Sequence, residues 1–137
     1  MQTISQLLQP LETALSELTD KCYHYFAAPN TVPAYIVWAE DSGSGLMADD
    51  GHAERSISGT VDLYTKTEND PLRDSIEEAL EEIGAAWYFN SFQYETETGL
   101  LHFEWQFCYL SGSLLRKYRS LLTLFQMFCC HPALLPD

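Results

Sequence analysis

The chain has 137 residues, a formal net charge of −13, and a hydrophobic content of 46%. This length and composition fit one domain that can bury a core without disulfide support. An acidic chain repels a phosphate backbone, so the charge argues against specific binding to nucleic acid.

The first 45 residues predict one helix and one strand, with an ambiguous segment between them. Apolar residues recur at helical spacing from Ile4 to Leu18, and Pro10 is expected to break or kink this helix or to start its second part. Residues 22–26 fit either a short strand or a helix exit. The β-branched and aromatic residues 34–40 predict a strand, which we expect to end at the flexible composition of residues 41–45.

A strand and a second helix follow. Residues 56–65 alternate between apolar and polar, which predicts a half-buried strand in which Gly59 marks a bulge. Asn69-Asp70-Pro71 predicts a helix start with proline in the first helical position. Its apolar stripe begins at Leu72, and Gly84 is placed to end the helix.

Two aromatic runs, residues 86–94 and 101–109, are separated by a polar turn containing Gly99. They predict an antiparallel hairpin with one buried face. The order of elements therefore predicts an α+β fold, with an antiparallel, possibly mixed, sheet of about four strands and two helices packed on one face. We expect residues 1–110 to form this single domain.

Residues 111–137 differ from the domain in composition and charge. They carry a net charge of +2, whereas residues 1–110 carry −15. The leucine-rich and aromatic segment predicts a C-terminal helical extension. It is either an amphipathic helix that docks on a neighbouring acidic subunit, or an accidental extension that packs wherever its apolar surface finds cover.

Motifs that would indicate catalysis are incomplete. His52-Ala-Glu54 matches the first half of the zinc deaminase signature, but its second half, Pro-Cys-x-x-Cys, is absent and Cys129-Cys130-His131 cannot replace it. There is no Gly-x-Ser-x-Gly elbow and no dinucleotide-binding glycine loop. We therefore predict no catalytic residue, no cofactor and no metal site, and a protein that is not an enzyme.

Several other titratable residues have simpler interpretations. The helical acids Glu77, Glu78, Glu81 and Glu82 are interpreted as a solvated face. His24 and His102 are interpreted as packed or surface residues. The four cysteines follow no disulfide framework, and the N-terminus has no secretion signal, so we expect a reducing cytoplasm. The apolar stretch at residues 121–130 is too short to span a bilayer, and no membrane partner is expected.

Four stretches suggest a family. They are residues 33–41, residues 48–54, residues 59–67 leading into Asp70-Pro71, and residues 94–107. Together they resemble a small head–tail joining protein of tailed bacteriophages and prophages, similar to the tail terminator, or tail completion, family. The resemblance covers roughly residues 1 to 110 and consists of strand and loop patterns without an invariant catalytic group.

The resemblance implies a structural role. Such a subunit assembles with itself into a ring, commonly a hexamer, caps the tail tube and docks to the head–tail connector, and its place is the virion after assembly in the bacterial cytoplasm. We predict its interface around a flexible loop at residues 41–51. The candidate residues are Asp41, Asp49, Asp50, His52, Glu54 and Arg55.

Two alternatives stay open at this point. The chain could be a head completion adaptor or a minor capsid protein, which the sequence does not separate from a terminator. It could also be a small metal-dependent enzyme that uses His52 and Glu54. The first alternative predicts assembly with a capsid partner, and the second predicts a metal or small molecule bound in a pocket near His52, Glu54 and His102.

Overall fold

The computed structural model describes residues 2–47 and 53–110, apart from the side chains of 44–47, 53 and 54. These residues form helix α1, Ile4–Ser16; strands β1, Cys22–His24, β2, Tyr35–Met47, and β3, Ala53–Thr65; helix α2, Leu72–Glu82; and strands β4, Ala86–Glu95, and β5, Leu100–Leu110. The five strands form one sheet in the order β1-β2-β3-β5-β4. Strand β1 runs parallel to β2, and the other neighbours are antiparallel. The predicted α+β fold is confirmed, with a mixed sheet and one strand more than expected.

Both helices pack on one face of this sheet, and the core lies between the two layers. Helix α1 buries Leu7, Leu8, Leu11 and Leu15, and α2 buries Ile76 and Leu80. The sheet contributes a set of apolar residues from three strands, namely Ile36, Trp38, Ile57, Val61, Leu63, Phe103, Trp105 and Phe107. Removing this apolar layer from water is the main source of stability.

Helix α1 continues through Pro10, so neither the break nor the restart occurs. Proline removes one main-chain hydrogen bond, but buried leucines lie on both sides of it and hold the two halves against the same core. The start is fixed by a capping box. Thr3 Oγ1 accepts from the Gln6 main-chain N–H at 3.2 Å, and Gln6 Oε1 accepts from the Thr3 N–H at 2.9 Å.

Strand β2 does not end at residue 41, so the expected end of the strand there is wrong. It pairs with β3 as far as Met47, which faces Ala53. The glycine- and serine-rich composition is compatible with a strand here because β3 supplies hydrogen-bond partners along its length. Of the flexible loop expected at residues 41–51, only residues 48–51 lie outside the described part of the chain.

The bulge predicted at Gly59 lies in the neighbouring strand instead. The register between β2 and β3 shifts between Glu40 and Ser42, which makes Asp41 the extra residue. Gly59 faces Glu40, and a Cβ atom at this position would lie 2.0 Å from the carbonyl oxygen of Ala39. Close approach of the β2 backbone is therefore the reason for a glycine at this position.

The boundaries of the remaining elements agree closely with the sequence. Pro71 precedes α2 by one residue instead of opening it, and Asp70 Oδ1 accepts the Leu72 N–H at 2.9 Å. Gly84 and Gly99 have positive φ, at 78° and 71°, so both end their elements as predicted. The predicted helical extension, residues 111–137, lies outside the described residues. In the described ranges, no helix has the length and hydropathy needed to cross a bilayer.

Candidate interaction surfaces

The face of the sheet opposite the helices carries a row of stacked rings. Tyr35, Tyr64 and His102 are direct neighbours across β2, β3 and β5. Their ring centroids are 5.0 Å apart between the two tyrosines and 4.3 Å apart between Tyr64 and His102. Each of the three residues is half-buried. We call this set the ring row.

Carboxylates flank the ring row. His102 Nε2 lies 2.6 Å from Asp62 Oδ1, and its Nδ1 lies 3.7 Å from Glu95 Oε1. The hydrogen bond to Asp62 raises the pKa of His102, against the opposing effect of burial. Burial, helped by the charge of Asp62, raises the pKa of Tyr64 to about 12, and burial also raises the pKa of Tyr35. Both phenols therefore stay protonated at neutral pH.

His24 is held in a comparable way near the β1 edge. Its ring stacks against Tyr25 and Trp38, with centroid distances of 3.7 Å and 3.9 Å. Its Nε2 lies 3.1 Å from Glu40 Oε2, and Glu40 Oε1 accepts from the Tyr25 hydroxyl. Both histidines are thus packed against rings and carboxylates. Within residues 2–47 and 53–110, no three histidine, cysteine or acidic side chains form a metal-binding group.

The loop that follows β1 exposes apolar side chains. We call residues 25–32 the edge loop. Phe26 is 83% exposed and Val32 is 65% exposed. Lys21 lies beside this loop, because its Nζ donates to the Val32 carbonyl at 3.0 Å. Tyr25 is 50% exposed and its ring lies 6.4 Å from that of Phe26, so the two side chains form a contiguous exposed patch.

A second apolar surface lies at the opposite edge of the sheet, on β4. The register with β5 shifts between Phe89 and Ser91. Because of this bulge, Phe89 and Phe92 both face the helix side, although they are three residues apart. Helix α2 does not cover them, and they are 43% and 50% exposed. They border an open groove of about 450 Å³, the β4 groove, lined by Glu68, Arg73, Phe89, Phe92, Leu101 and Phe103.

The groove carries one guanidinium group against an aromatic wall. The Arg73 guanidinium carbon lies 4.4 Å from the centroid of the Phe103 ring, within cation–π range. Its Nη1 donates to the Glu68 carbonyl at 3.4 Å. The groove thus has apolar walls, and its two charged residues, Glu68 and Arg73, have opposite signs.

The acids of α2 are not all solvated, which corrects the sequence interpretation. Glu77 accepts from Trp105 Nε1 at 2.8 Å, and Glu81 accepts from Trp87 Nε1 at 2.8 Å. These two carboxylates flank the apolar stripe and therefore reach the sheet. Glu78, Glu81 and Glu82 are exposed, as expected, and Glu77 is half-buried. Glu77 and Glu81 thus link helix α2 to Trp105 on β5 and Trp87 on β4.

The structure locates only part of the predicted interface. Asp41, at the β2 bulge, is exposed and accepts from Ser42 Oγ at 3.1 Å. Arg55, in β3, donates from Nη1 to the Gln2 carbonyl at 3.3 Å. These contacts do not bring the two side chains together. Glu54 lies on β3 opposite Leu46, and Asp49, Asp50 and His52 lie outside the described residues.

Sequence reasoning missed both apolar surfaces. Strand β4 gave one usable signal, because Phe89 and Phe92 are three apart and a regular strand would place them on opposite faces. If two aromatic residues at this spacing lie on the same face, the strand must contain a bulge between them. Nothing in the residues around Phe26 distinguishes an exposed aromatic from a buried one.

Comparisons with known proteins give little further information. No family model matches the chain, and no curated protein matches it. One solved structure with a similar arrangement is a chain from the "Virion of native gene transfer agent (GTA) particle", with a TM-score of 0.48 and 13% identity. The match covers 76% of this chain and 90% of that chain. This TM-score is too low to carry a fold or a function from one protein to the other.

Proposed function

We propose that this chain is a structural subunit of a phage-like virion, a tail terminator or head–tail joining protein that works as a ring. The observation that carries the proposal is the pair of exposed apolar surfaces at the two outer edges of one sheet. Exposed apolar patches on small proteins typically mark protein contacts. The sequence resemblance over residues 1–110 supplies the biological setting for such contacts.

The positions of the two surfaces favour a ring over a symmetric dimer. The edge loop follows β1 and the β4 groove borders β4, and these are the first and last strands in the sheet order. Unlike surfaces on opposite sides of a subunit make head-to-tail contacts, which generate a ring when the rotation closes. A two-fold dimer would instead need one self-complementary patch.

A third surface is available for a different partner. The described pairing of β3 with β5 ends at Ser56. Strand β3 still pairs with β2 at residues 53–55, so these two strands extend past the end of β5. Asp41 lies at the β2 bulge, and Glu54 and Arg55 lie on the extended part of β3. In the proposal this end contacts the tail tube protein or the head–tail connector, while the two sheet edges contact copies of the chain.

The first experiment measures self-assembly of the full chain. Light scattering coupled to size exclusion, over a range of protein concentrations, should show a defined oligomer, and electron microscopy should show rings with a central opening. A chain that stays monomeric at every concentration would contradict the ring. The alternative of a metal-dependent enzyme predicts catalytic activity when metal ions are added, whereas a structural subunit should show none.

The second experiment measures binding to assembled tail tubes from the same gene cluster. Asp41→Lys reverses an exposed charge on β2, at its bulge against β3. The variant should bind tail tubes more weakly in co-sedimentation while leaving the ring intact. Glu12→Lys reverses an exposed charge on α1 and serves as the matched control. If both variants reduce co-sedimentation equally, the tail tube does not contact this end of β2 and β3.

A further inference from the structure

We infer that residues 114–122, the basic part of the C-terminal extension, dock on an acidic groove between α1 and α2 of the same chain. The groove is lined by apolar residues and by Glu17, Glu78 and Glu82, and we call it the helix groove. The inference goes beyond the proposed function, because the contact needs one chain and no ring.

The helix groove combines an apolar base with charges of one sign. Its apolar lining residues, Ala14, Leu18 and Ala79, are buried or half-buried, whereas the three glutamates are exposed. The remaining lining residue, Ser75, donates its hydroxyl to the Pro71 carbonyl at 3.1 Å. Among the described residues, no lysine or arginine lines this groove. Its open space of about 130 Å³ accommodates individual side chains.

The glutamates of the helix groove have no cationic partner in the described part of the chain. Glu78 and Glu82 are four residues apart on α2, a spacing at which like charges repel each other. Neither these two residues nor Glu17 takes part in an ion pair within residues 2–47 and 53–110. A cation held over the groove would therefore offset this repulsion.

Charge and composition select the C-terminal segment as the occupant. Three of the seven lysine and arginine residues of the chain, Arg116, Lys117 and Arg119, lie within four positions, and leucines flank them on both sides. In the helix that the sequence predicts for this segment, Leu115, Arg119 and Leu122 share one face, because they are four and three residues apart. That face offers a cation to the glutamates and leucines to the apolar base.

The end of β5 places this segment within reach of the helix groove. Strand β5 ends at Leu110, two residues beyond Cys108, which pairs with Ala86 at the start of β4. Helix α2 ends at Glu82, four residues before Ala86, so Glu82 and Leu110 lie toward the same end of the sheet. The six residue steps from Leu110 to Arg116 span up to roughly 20 Å when extended. So short a tether gives the groove of the same chain a high effective concentration.

The β4 groove is a poorer match for the same segment. Arg73 lines it together with Glu68, so a basic segment that entered it would meet a charge of its own sign. In the helix groove all charged lining residues are acidic. Charge complementarity therefore favours the helix groove.

Carbodiimide crosslinking of the full chain tests the contact, because the reagent joins an ammonium group only to a carboxylate that lies against it. Unlabelled and isotopically labelled chains are unfolded, mixed and refolded together before crosslinking, and the linked peptides are identified by mass spectrometry. Lys117 should couple to Glu17, Glu78 or Glu82. Both linked peptides should come from the same isotopic form, because the contact lies within one chain.

Single charge reversals separate the segment from net charge. Arg119→Glu should lower the yield of the Lys117 crosslinks by about tenfold, because it brings like charges together at the groove. Lys66→Glu makes the same change at an exposed residue outside the segment and should leave the yield unchanged. Glu78→Lys should lower the remaining crosslinks to Glu17 and Glu82, and combining it with Arg119→Glu should restore them. Circular dichroism and thermal melting check that every variant is folded.

The outcomes distinguish this inference from the proposed function. Crosslinks that join differently labelled chains as often as random pairing allows would place the segment on a neighbouring copy and overturn docking within one chain. An unchanged yield in folded Arg119→Glu, or coupling of Lys117 to acids outside the helix groove, would overturn the groove as its site. A chain that forms rings without the crosslink loses this inference and keeps the proposed function, whereas a monomeric chain with the crosslink does the reverse.

Discussion

The helix-covered face and the open face of the sheet are built from alternate residues of the same strands. On the covered face, Ile36, Val61 and Leu63 are completely buried. On the open face, their neighbours Asp62 and Tyr64 are half-buried and bind or stack on other side chains. At these positions the covered face contributes apolar burial, whereas the open face carries polar and aromatic groups.

The largest effect is expected where the covered face meets the backbone of β2. A Cβ atom in Gly59→Ala would lie 2.0 Å from the Ala39 carbonyl oxygen, so the two strands would have to separate. We expect a loss of about 3 kcal/mol or more in the free energy of unfolding, measured by urea denaturation. Ser58→Ala, the adjacent change on the open face, loses one hydroxyl contact with Ser42 and should cost less than about 1 kcal/mol. Equal losses would mean that the close approach is not required.

The same substitution on the two faces should give a smaller contrast. Val61→Ala removes buried methyl groups from a core position with 0% exposure and should cost about 2 kcal/mol. Val37→Ala, on the open face and half-buried, should cost less than about 1 kcal/mol. Denaturation midpoints of both variants, with unchanged slopes, provide the comparison. If Val37→Ala were as costly, the open face would have to be covered as well.

Residue types and periodicity were sufficient to predict the covered face. Helical spacing in α1 and α2 and alternation in β3 and β5 are local patterns, because one buried face imposes a fixed period on each element. The turn at Gly99 was predictable for the same reason, since positive φ restricts the residue type. The α+β class follows from the order of these elements.

Features that depend on a partner strand were not predictable. The continuation of β2 through its glycine- and serine-rich segment requires the pairing with β3, and the requirement for Gly59 comes from the backbone of β2. The groove at β4 depends on a bulge and on where α2 ends. Of the predicted interface, Asp41 and Arg55 have described side chains, and the contact made by each is not implied by its neighbours in sequence.

Substitutions of two neighbouring acids on α2, Glu77 and Glu78, compare a carboxylate bonded to the sheet with an exposed one. Glu77→Ala would leave the indole N–H of Trp105 without its acceptor and should cost about 1 kcal/mol, reduced from the usual value for a charged hydrogen bond because Glu77 is half-exposed. Glu78→Ala, one residue along and exposed, should change the free energy of unfolding by less than about 0.5 kcal/mol. Similar values for both variants would return Glu77 to the solvated face, as the sequence suggested.

The smallest expected effect is a pH dependence confined to the open face. The ordinary pKa of histidine is about 6.5, and the hydrogen bond to Asp62 raises the pKa of His102 in the folded chain. A raised pKa means that the folded state binds the proton more tightly than the unfolded state. The contribution of His102 is therefore fully present below about pH 6.5 and is lost as the pH rises through the folded-state pKa.

His102→Gln keeps a polar side chain on β5 but cannot carry the charge. The loss in the free energy of unfolding caused by this substitution should be greater at pH 5.5 than at pH 8.5. The difference should be roughly 0.5 to 1 kcal/mol for a partly exposed pair. In the Asp62→Asn background the same substitution should show a smaller pH dependence, because the carboxylate that most favours the protonated ring is gone while Glu95 remains. A loss that is equal at both pH values would show that the imidazole contributes by stacking on Tyr64 instead of by its charge, and the open face would then resemble the covered face in depending on packing alone.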